Sequence, residues 1–219
     1  MFHVEQVSDP QLLLLEESKE IGVPLNPEQT HLFMLYLKQL KLWNRSFNLT
    51  AITQDEDIII KHFIDSLAAL RAVKIDLGSR LLDIGTGAGF PGIPFKIARP
   101  DLGITLIEPA HKKSSFLHFI IGLLQLHGVD VFSGTLDAFM KKSDPPPLYD
   151  YITTRALDPA VLFQHGKSLL TEGGKAILYS ARPADKSPLP SKWNFVNEYS
   201  FELPKAYGTR MISIFSPSY

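Results

Sequence analysis

Asp83 closes an apolar run and is followed by Gly85, Gly87 and Gly89, which alternate with Thr86 and Ala88 ahead of Phe90 and Pro91. Glycine has no Cβ and tolerates positive φ, so such a turn lets backbone amides pass close to a ligand. A G-x-G-x-x-G string also occurs at Gly87, Gly89 and Gly92. It begins two residues beyond the end of the apolar run and Pro91 interrupts it, which does not suit a dinucleotide. The string that starts at the run's end, Gly85-x-Gly87-x-Gly89 behind Asp83, suits a nucleoside without a pyrophosphate. Glu108, 25 residues after Asp83, is placed to accept hydrogen bonds from ribose hydroxyls. Three readings stand at this point: a tight turn without a ligand, a nicotinamide or flavin site, and a site for S-adenosylmethionine, which the acidic partner favours.

The remaining motifs offer little other chemistry. The chain has no cysteine, which excludes disulfides, thiolate metal centres and cysteine nucleophiles. Seven histidines include no His-x-x-x-His pair, so no metal site is expected. Asp144-Pro145-Pro146 is similar to part of an amino-group methyltransferase tetrad but precedes the fourth strand, where its oxygens would not reach a substrate. Gly166-Lys167-Ser168 has Val161 where a phosphate loop needs glycine, and reads as helix surface. Asn48 and the group His62, Asp65 and Ser66 read either as a cap with a buried His–Asp hydrogen bond or as the wall of a base pocket. Lys38, Lys41 and Arg45 share a helix face and, with Arg99 and Lys112-Lys113, are the cations available for phosphates.

The elements that must position these residues fall into two parts. Asp9-Pro10, Asn26-Pro27-Glu28 and Asp55 each start a helical stretch, so residues 9–75 read as a small helical layer. From Arg80 short apolar strands alternate with helices, the pattern of a parallel sheet covered on both faces. Strands are predicted at 80–84, 104–108, 129–133, 149–153 and 175–179. Helices are predicted from near Pro91, Lys112 and Asp158, with Gly173-Gly174 stopping the last. Beyond Ser187, with Pro188, Pro190 and Pro204, two final strands at 195–201 and 211–215 are expected to pair antiparallel at the sheet edge. Pro145-Pro146-Pro147 reads as a loop, so the chain reads as one domain.

The 219 residues carry a formal charge of −1, distributed unevenly. Residues 1–30 hold six acids and one base, a net −5, which leaves the remainder at +4. A mildly basic body permits nucleic-acid binding on one face without requiring it. No apolar run reaches the roughly 20 residues of a membrane span, and Met1-Phe2-His3-Val4-Glu5 does not resemble a signal peptide, so a cytoplasmic protein is expected.

Three stretches make a family visible. Leu82-Asp-Ile-Gly-Thr-Gly-Ala-Gly-Phe-Pro-Gly-Ile-Pro94, with Trp43-Asn-Arg-Ser-Phe-Asn-Leu-Thr-Ala-Ile52 and His62-Phe-Ile-Asp-Ser-Leu67, resembles the ribosomal RNA small subunit methyltransferase G family, also called the glucose-inhibited division protein B family. The resemblance runs from about residue 30 to residue 178 and returns around Arg210. It implies a class I S-adenosylmethionine-dependent methyltransferase: an α/β, Rossmann-like, mostly parallel sheet at 80–219 with an N-terminal helical extension at 1–75. It further implies methylation of guanine N7 in 16S ribosomal RNA, free or in the small ribosomal subunit; separately, a monomer is expected. By the same resemblance Gly85 and Phe90 contact the cofactor, Glu108 with Pro109 and Ala110 ends the second strand, and Leu136-Asp137 frames the adenine. Arg155, in Thr154-Arg-Ala156, matches a Ser-Arg-Ala segment; past the tip of the fourth strand, it is expected to orient the methionine carboxylate or the base and to add little to the core. Two departures each remove a cation: Tyr179-Ser180-Ala181 stands where the family has Leu-Lys-Gly, and the chain ends in Ser-Pro-Ser-Tyr219. A methyltransferase for a small molecule or protein, and a regulatory protein that binds the cofactor without catalysis, are the alternatives.

Overall fold

Three helical segments open the structure, the first two capped by side chains placed one residue before a proline. The computed structural model describes residues 9–142, 144–155, 158–183 and 192–218; the first eight residues, Ala156, the Pro188 to Pro190 segment and Tyr219 lie outside the described residues. The Asp9 side chain accepts from Gln11 N ahead of α1 (Pro10–Glu20). Asn26 and Gln29 form a reciprocal capping box ahead of α2 (Pro27–Phe47). The third segment is α3 (Asp55–Ile58), a π-helical turn (Ile59–Ile64) and α4 (Asp65–Ala72), one continuous rod with a wide turn at its centre.

The sheet contains β1 (Arg80–Ile84), β2 (Gly103–Glu108), β3 (Val129–Ser133), β4 (Tyr149–Thr154), β5 (Leu170–Ser180), β6 (Trp193–Glu202) and β7 (Thr209–Pro217), in the order β3-β2-β1-β4-β5-β7-β6. The first five are parallel, and β7 runs antiparallel between β5 and β6. The predicted antiparallel pair is therefore present, with β6 at the edge. The connecting helices α5 (Gly92–Ala98), α6 (His111–Leu123), α7 (Leu136–Met140) and α8 (Pro159–His165) cover the sheet together with the N-terminal layer. One core, with Phe33, Tyr36, Phe63, Phe95 and Phe116, joins that layer to one face; a second, with Leu82, Ile152, Leu162 and Trp193, fills the other.

One prediction fails locally, and one short helix carries no signal in the sequence. Gly173-Gly174 does not stop a helix: α8 ends at His165, Gly166–Leu169 forms a 3₁₀ turn, and both glycines lie inside β5, opposite the register shift between Tyr149 and Tyr151. Residues 136–140 form a helix capped by Thr135, whose hydroxyl accepts from Ala138 N.

Between β1 and β4 the strand order reverses, since β1 leads outward to β2 and β3 while β4 leads the other way. A crevice at the carboxyl ends of these two strands is where an open α/β sheet binds its ligand.

Candidate active site

Gly85, Gly87 and Gly89 follow β1 directly, and all have positive φ. At Gly87 (φ +63°) a Cβ would meet no atom within 4 Å, so this backbone faces open space. At Gly89 a Cβ would come within 2.6 Å of Ile93 Cγ1 and 2.8 Å of the Tyr36 hydroxyl. The two glycines thus serve opposite purposes: Gly87 keeps a surface bare, and Gly89 lets the helical layer close on the turn.

Glu108, buried at the tip of β2, holds this turn from the side. Its Oε2 accepts from Gly87 N at 2.8 Å and its Oε1 from Ala110 N at 2.9 Å. Each carboxylate oxygen has a second lone pair, so ribose hydroxyls can still be received. Pro109 and Ala110 are exposed beside it. Leu136 is buried at the start of α7, whereas Asp137 is exposed, its Oδ1 3.6 Å from His165 Nε2. The Phe90 ring is stacked 4.3 Å from His62 and 5.5 Å from Tyr36, with the Arg155 guanidinium 6.0 Å from its centre.

Asp83 is fully buried, and Oδ2 accepts from Thr86 Oγ1 at 2.6 Å and Gly92 N at 2.9 Å. Its Oδ1 has no partner, nor do the hydroxyls of Thr153 and Thr154 at the end of β4. Burial lifts the Asp83 carboxyl to about 7, against the pull of its hydrogen bonds from Thr86 and Gly92. Three unpaired buried polar atoms at the tips of the strands that flank the reversal fit the polar, amino-acid end of S-adenosylmethionine, as bare Gly87 and the Glu108 carboxylate fit its ribose.

Arg155, one residue past β4, does more than line this crevice. Its guanidinium lies 3.0 Å from Asp65 Oδ2 and donates to Ser66 Oγ at 3.2 Å and Lys61 O at 3.0 Å. Asp65 is buried at the start of α4, with Arg210 Nε at 3.8 Å from its other oxygen; burial raises its carboxyl while Arg155 and then Arg210 pull it down. Arg155 therefore clamps the π-helical turn to the sheet. The expectation that it adds little to the core is corrected: its partner is a carboxylate that burial would leave uncompensated without it.

The expected His62–Asp65 hydrogen bond is absent as well. His62 Nε2 pairs with Thr50 Oγ1 at 2.9 Å, and Asp65 is turned to the arginines. Burial, then the nearby Arg155 charge, lowers the imidazole to about 3, so the ring is neutral. Asn48 is the left-handed C-cap of α2 (φ 49°), and it is Asn44 that fastens the following loop, bonded twice to Thr50. Of the phosphate candidates, Lys41 is paired with Asp55, and Arg99 is bound to Asp101 and to Ile75 O. Lys38, Arg45, Lys112 and Lys113 have no carboxylate partner among the described residues. Tyr36 and Tyr179 are anchors that the sequence does not mark: Tyr36 donates to Ala88 O at 2.5 Å and Tyr179 to Ser66 O at 2.7 Å. Their aromatic spacing gives no sign of a hydroxyl contact 52 or 113 residues away. Among the described residues no group of three metal-ligating side chains occurs, and no helix is long and apolar enough to cross a membrane.

A family model described as rRNA small subunit methyltransferase G matches residues 29–198. A protein named Ribosomal RNA small subunit methyltransferase G from Caldanaerobacter subterraneus subsp. tengcongensis is 36% identical over 175 residues, covering 80% of this chain and 73% of that protein. One of the same name from Desulforamulus reducens is 39% identical over 151 residues, covering 69% and 63%. A third, from Lachnoclostridium phytofermentans, is 41% identical over 139 residues, covering 64% and 57%. Among solved structures, TrmN from Thermus thermophilus superposes with a TM-score of 0.57 at 18% identity, over 80% of this chain and 53% of that one. The precorrin-6y C5,15-methyltransferase of Geobacter metallireducens GS-15 gives 0.52 at 10% identity, over 70% and 86%. These two share the fold.

Proposed function

Since the chain belongs to the rRNA small subunit methyltransferase G family, we propose that it methylates N7 of a guanine in 16S ribosomal RNA from S-adenosylmethionine. The observation that carries this reading is the turn after β1: a backbone bare at Gly87, hydrogen-bonded to the buried Glu108 carboxylate, at the point where the strand order reverses. When bound, the cofactor supplies a sulfonium methyl, so that the new N–C bond forms as the C–S bond breaks and the sulfur keeps that electron pair. Guanine N7 carries a lone pair and no proton, so no general base is required of the chain. What the chain must supply is alignment and electrostatics.

Gly85, Gly87 and Glu108, flanked by Pro109 and Ala110, would hold the nucleoside, with Leu136-Asp137 and the Phe90 backbone at its margins. Asp83 Oδ1 and the Thr153 and Thr154 hydroxyls are the free acceptors for the methionine end. Arg155, cationic and beside Phe90 and Tyr179, is the group we assign to orienting the carboxylate or the base. Tyr36 and Phe90 close the turn from behind and keep water from that side. The working unit we infer is a cytoplasmic monomer of one methyltransferase domain over residues 1–219, its helical extension at 1–75 packed on the core at 80–219, acting on 16S ribosomal RNA or the small subunit. The test is an RNA with 7-deazaguanine at the target, where carbon replaces the attacking nitrogen. It should accept no methyl group while the guanine-containing RNA does; equal labelling of both overturns the N7 assignment.

A further inference from the structure

On the outer side of the helical layer, Trp43, Phe47 and Phe119 form an aromatic shelf. Ring centroids lie 5.3 Å apart for Trp43–Phe47 and 5.1 Å for Trp43–Phe119. Phe47 is 40% and Phe119 38% exposed, a costly display of apolar surface unless something covers it. The Lys112 ammonium stands 5.9 Å from the Phe47 ring centre. Beyond Glu28, α2 carries no acid, and neither does any part of α6. Lys112 thus borders the shelf, and neither it nor Arg45 and Lys113 on the same two helices has a carboxylate partner among the described residues.

The shelf is tied to the crevice. Trp43 packs edge-on to buried Phe116 at 5.5 Å, Phe116 stacks with Tyr36 at 6.2 Å, and the Tyr36 hydroxyl holds Ala88 of the glycine turn. Lys112 follows two residues after Ala110, whose N–H is fixed by Glu108.

Exposed π faces beside a lysine, on helix stretches free of acids, match a polyanion whose bases are unstacked, which is single-stranded RNA rather than duplex or an apolar protein partner. We propose that Trp43, Phe47 and Phe119 are a stacking platform for an unpaired base of the RNA strand that carries the target guanine, with Lys112 on an adjoining phosphate. This rests on the reading of the chain as an RNA methyltransferase.

The test compares the full-length chain with Phe47→Ala/Phe119→Ala, two exposed positions, and with Phe47→Trp, which keeps a stacking face. Measured are the KM for unmodified 16S ribosomal RNA, kcat, and the calorimetric Kd for S-adenosylmethionine. The double variant should raise the RNA KM about tenfold, as loss of a stacked base does. Its kcat and cofactor Kd should stay unchanged, and Phe47→Trp should match the wild type. An unaltered RNA KM, or a cofactor Kd that rises with it, overturns the platform. A defect confined to intact small subunits, with naked RNA unaffected, assigns the shelf to a ribosomal protein and also overturns it. If the wild type methylates no RNA, both this inference and the parent reading fall; if it does and the variants behave alike, only the platform falls.

Discussion

Replacing Asp83 with asparagine should shift the stability of the free chain in the variant's favour as pH rises. Asp83 is 0% exposed and its carboxyl is raised to about 7 from the ordinary 3.8. A raised acid means that between these two values the native state holds a proton that the unfolded chain has released. The native state then loses stability as pH climbs, and the whole cost is present above the folded value. At about 1.4 kcal/mol per unit, the cost approaches roughly 4 kcal/mol at pH 8, with about 2–3 kcal/mol of it arising between pH 5 and pH 8. Asp83→Asn keeps an oxygen for Thr86 Oγ1 and Gly92 N and carries no charge. Its amide nitrogen, placed where Oδ1 finds no partner, costs about 1–3 kcal/mol, but equally at both pH values. Urea unfolding without cofactor should therefore show the variant gaining about 2–3 kcal/mol on the wild type from pH 5 to pH 8. A gap that does not change with pH would refute the buried, protonated carboxyl. If Asp83 receives the cofactor's ammonium, binding should also release a proton near pH 7 from the wild type and none from the variant. Calorimetry in buffers of different ionisation heat reads that directly.

Gly87→Val should abolish S-adenosylmethionine binding in calorimetry at a folding cost of only about 1–2 kcal/mol, because the new Cβ strains a positive φ but strikes no protein atom; retained affinity would move the site elsewhere. Arg155→Ala should lower stability by about 3 kcal/mol by stranding Asp65, while Arg155→Ala/Asp65→Asn should recover much of that in denaturant melts without recovering methyl transfer. Recovery of both would reduce Arg155 to a structural clamp. Lys41→Ala should leave the slope of log RNA affinity against log salt unchanged, since Asp55 already neutralises it, whereas Arg45→Ala should lower the slope by about one unit. Filter binding at several salt concentrations decides, and the reverse pattern would place the phosphates on Lys41.

The parts of the fold that were legible are those whose signals are local. Asn26 and Gln29 cap α2 through residues three apart, and the glycines after Ile84 mark the end of β1 through their own backbone needs. The parallel sheet followed from strands alternating with helices, and the antiparallel end from two strands with a short connection. The misreadings have the opposite character. Gly173-Gly174 is a stop signal in any window, and only pairing with β4 across a shifted register draws it into β5. Helix α7 is five residues long, too short for its periodicity to register. Within the site, Glu108 could be placed from its distance to Asp83 because both end neighbouring parallel strands. Arg155 could not be placed as fully: its partner Asp65 lies ninety residues earlier, at the start of α4 just past a π-helical turn with no distinctive sequence. Likewise His62 meets Thr50 rather than Asp65, because side chains three apart on this rod point to different neighbours.

The central claim is that the crevice between β1 and β4 delivers a methyl group to guanine N7 of ribosomal RNA. It is tested most directly by incubating the chain with isotope-labelled S-adenosylmethionine and 16S ribosomal RNA lacking the modification, digesting to nucleosides, and locating the label. The account predicts all label in 7-methylguanosine, with none when Gly87→Val replaces the wild type; label in another nucleoside, or RNA left unlabelled both free and in the small subunit, would contradict it.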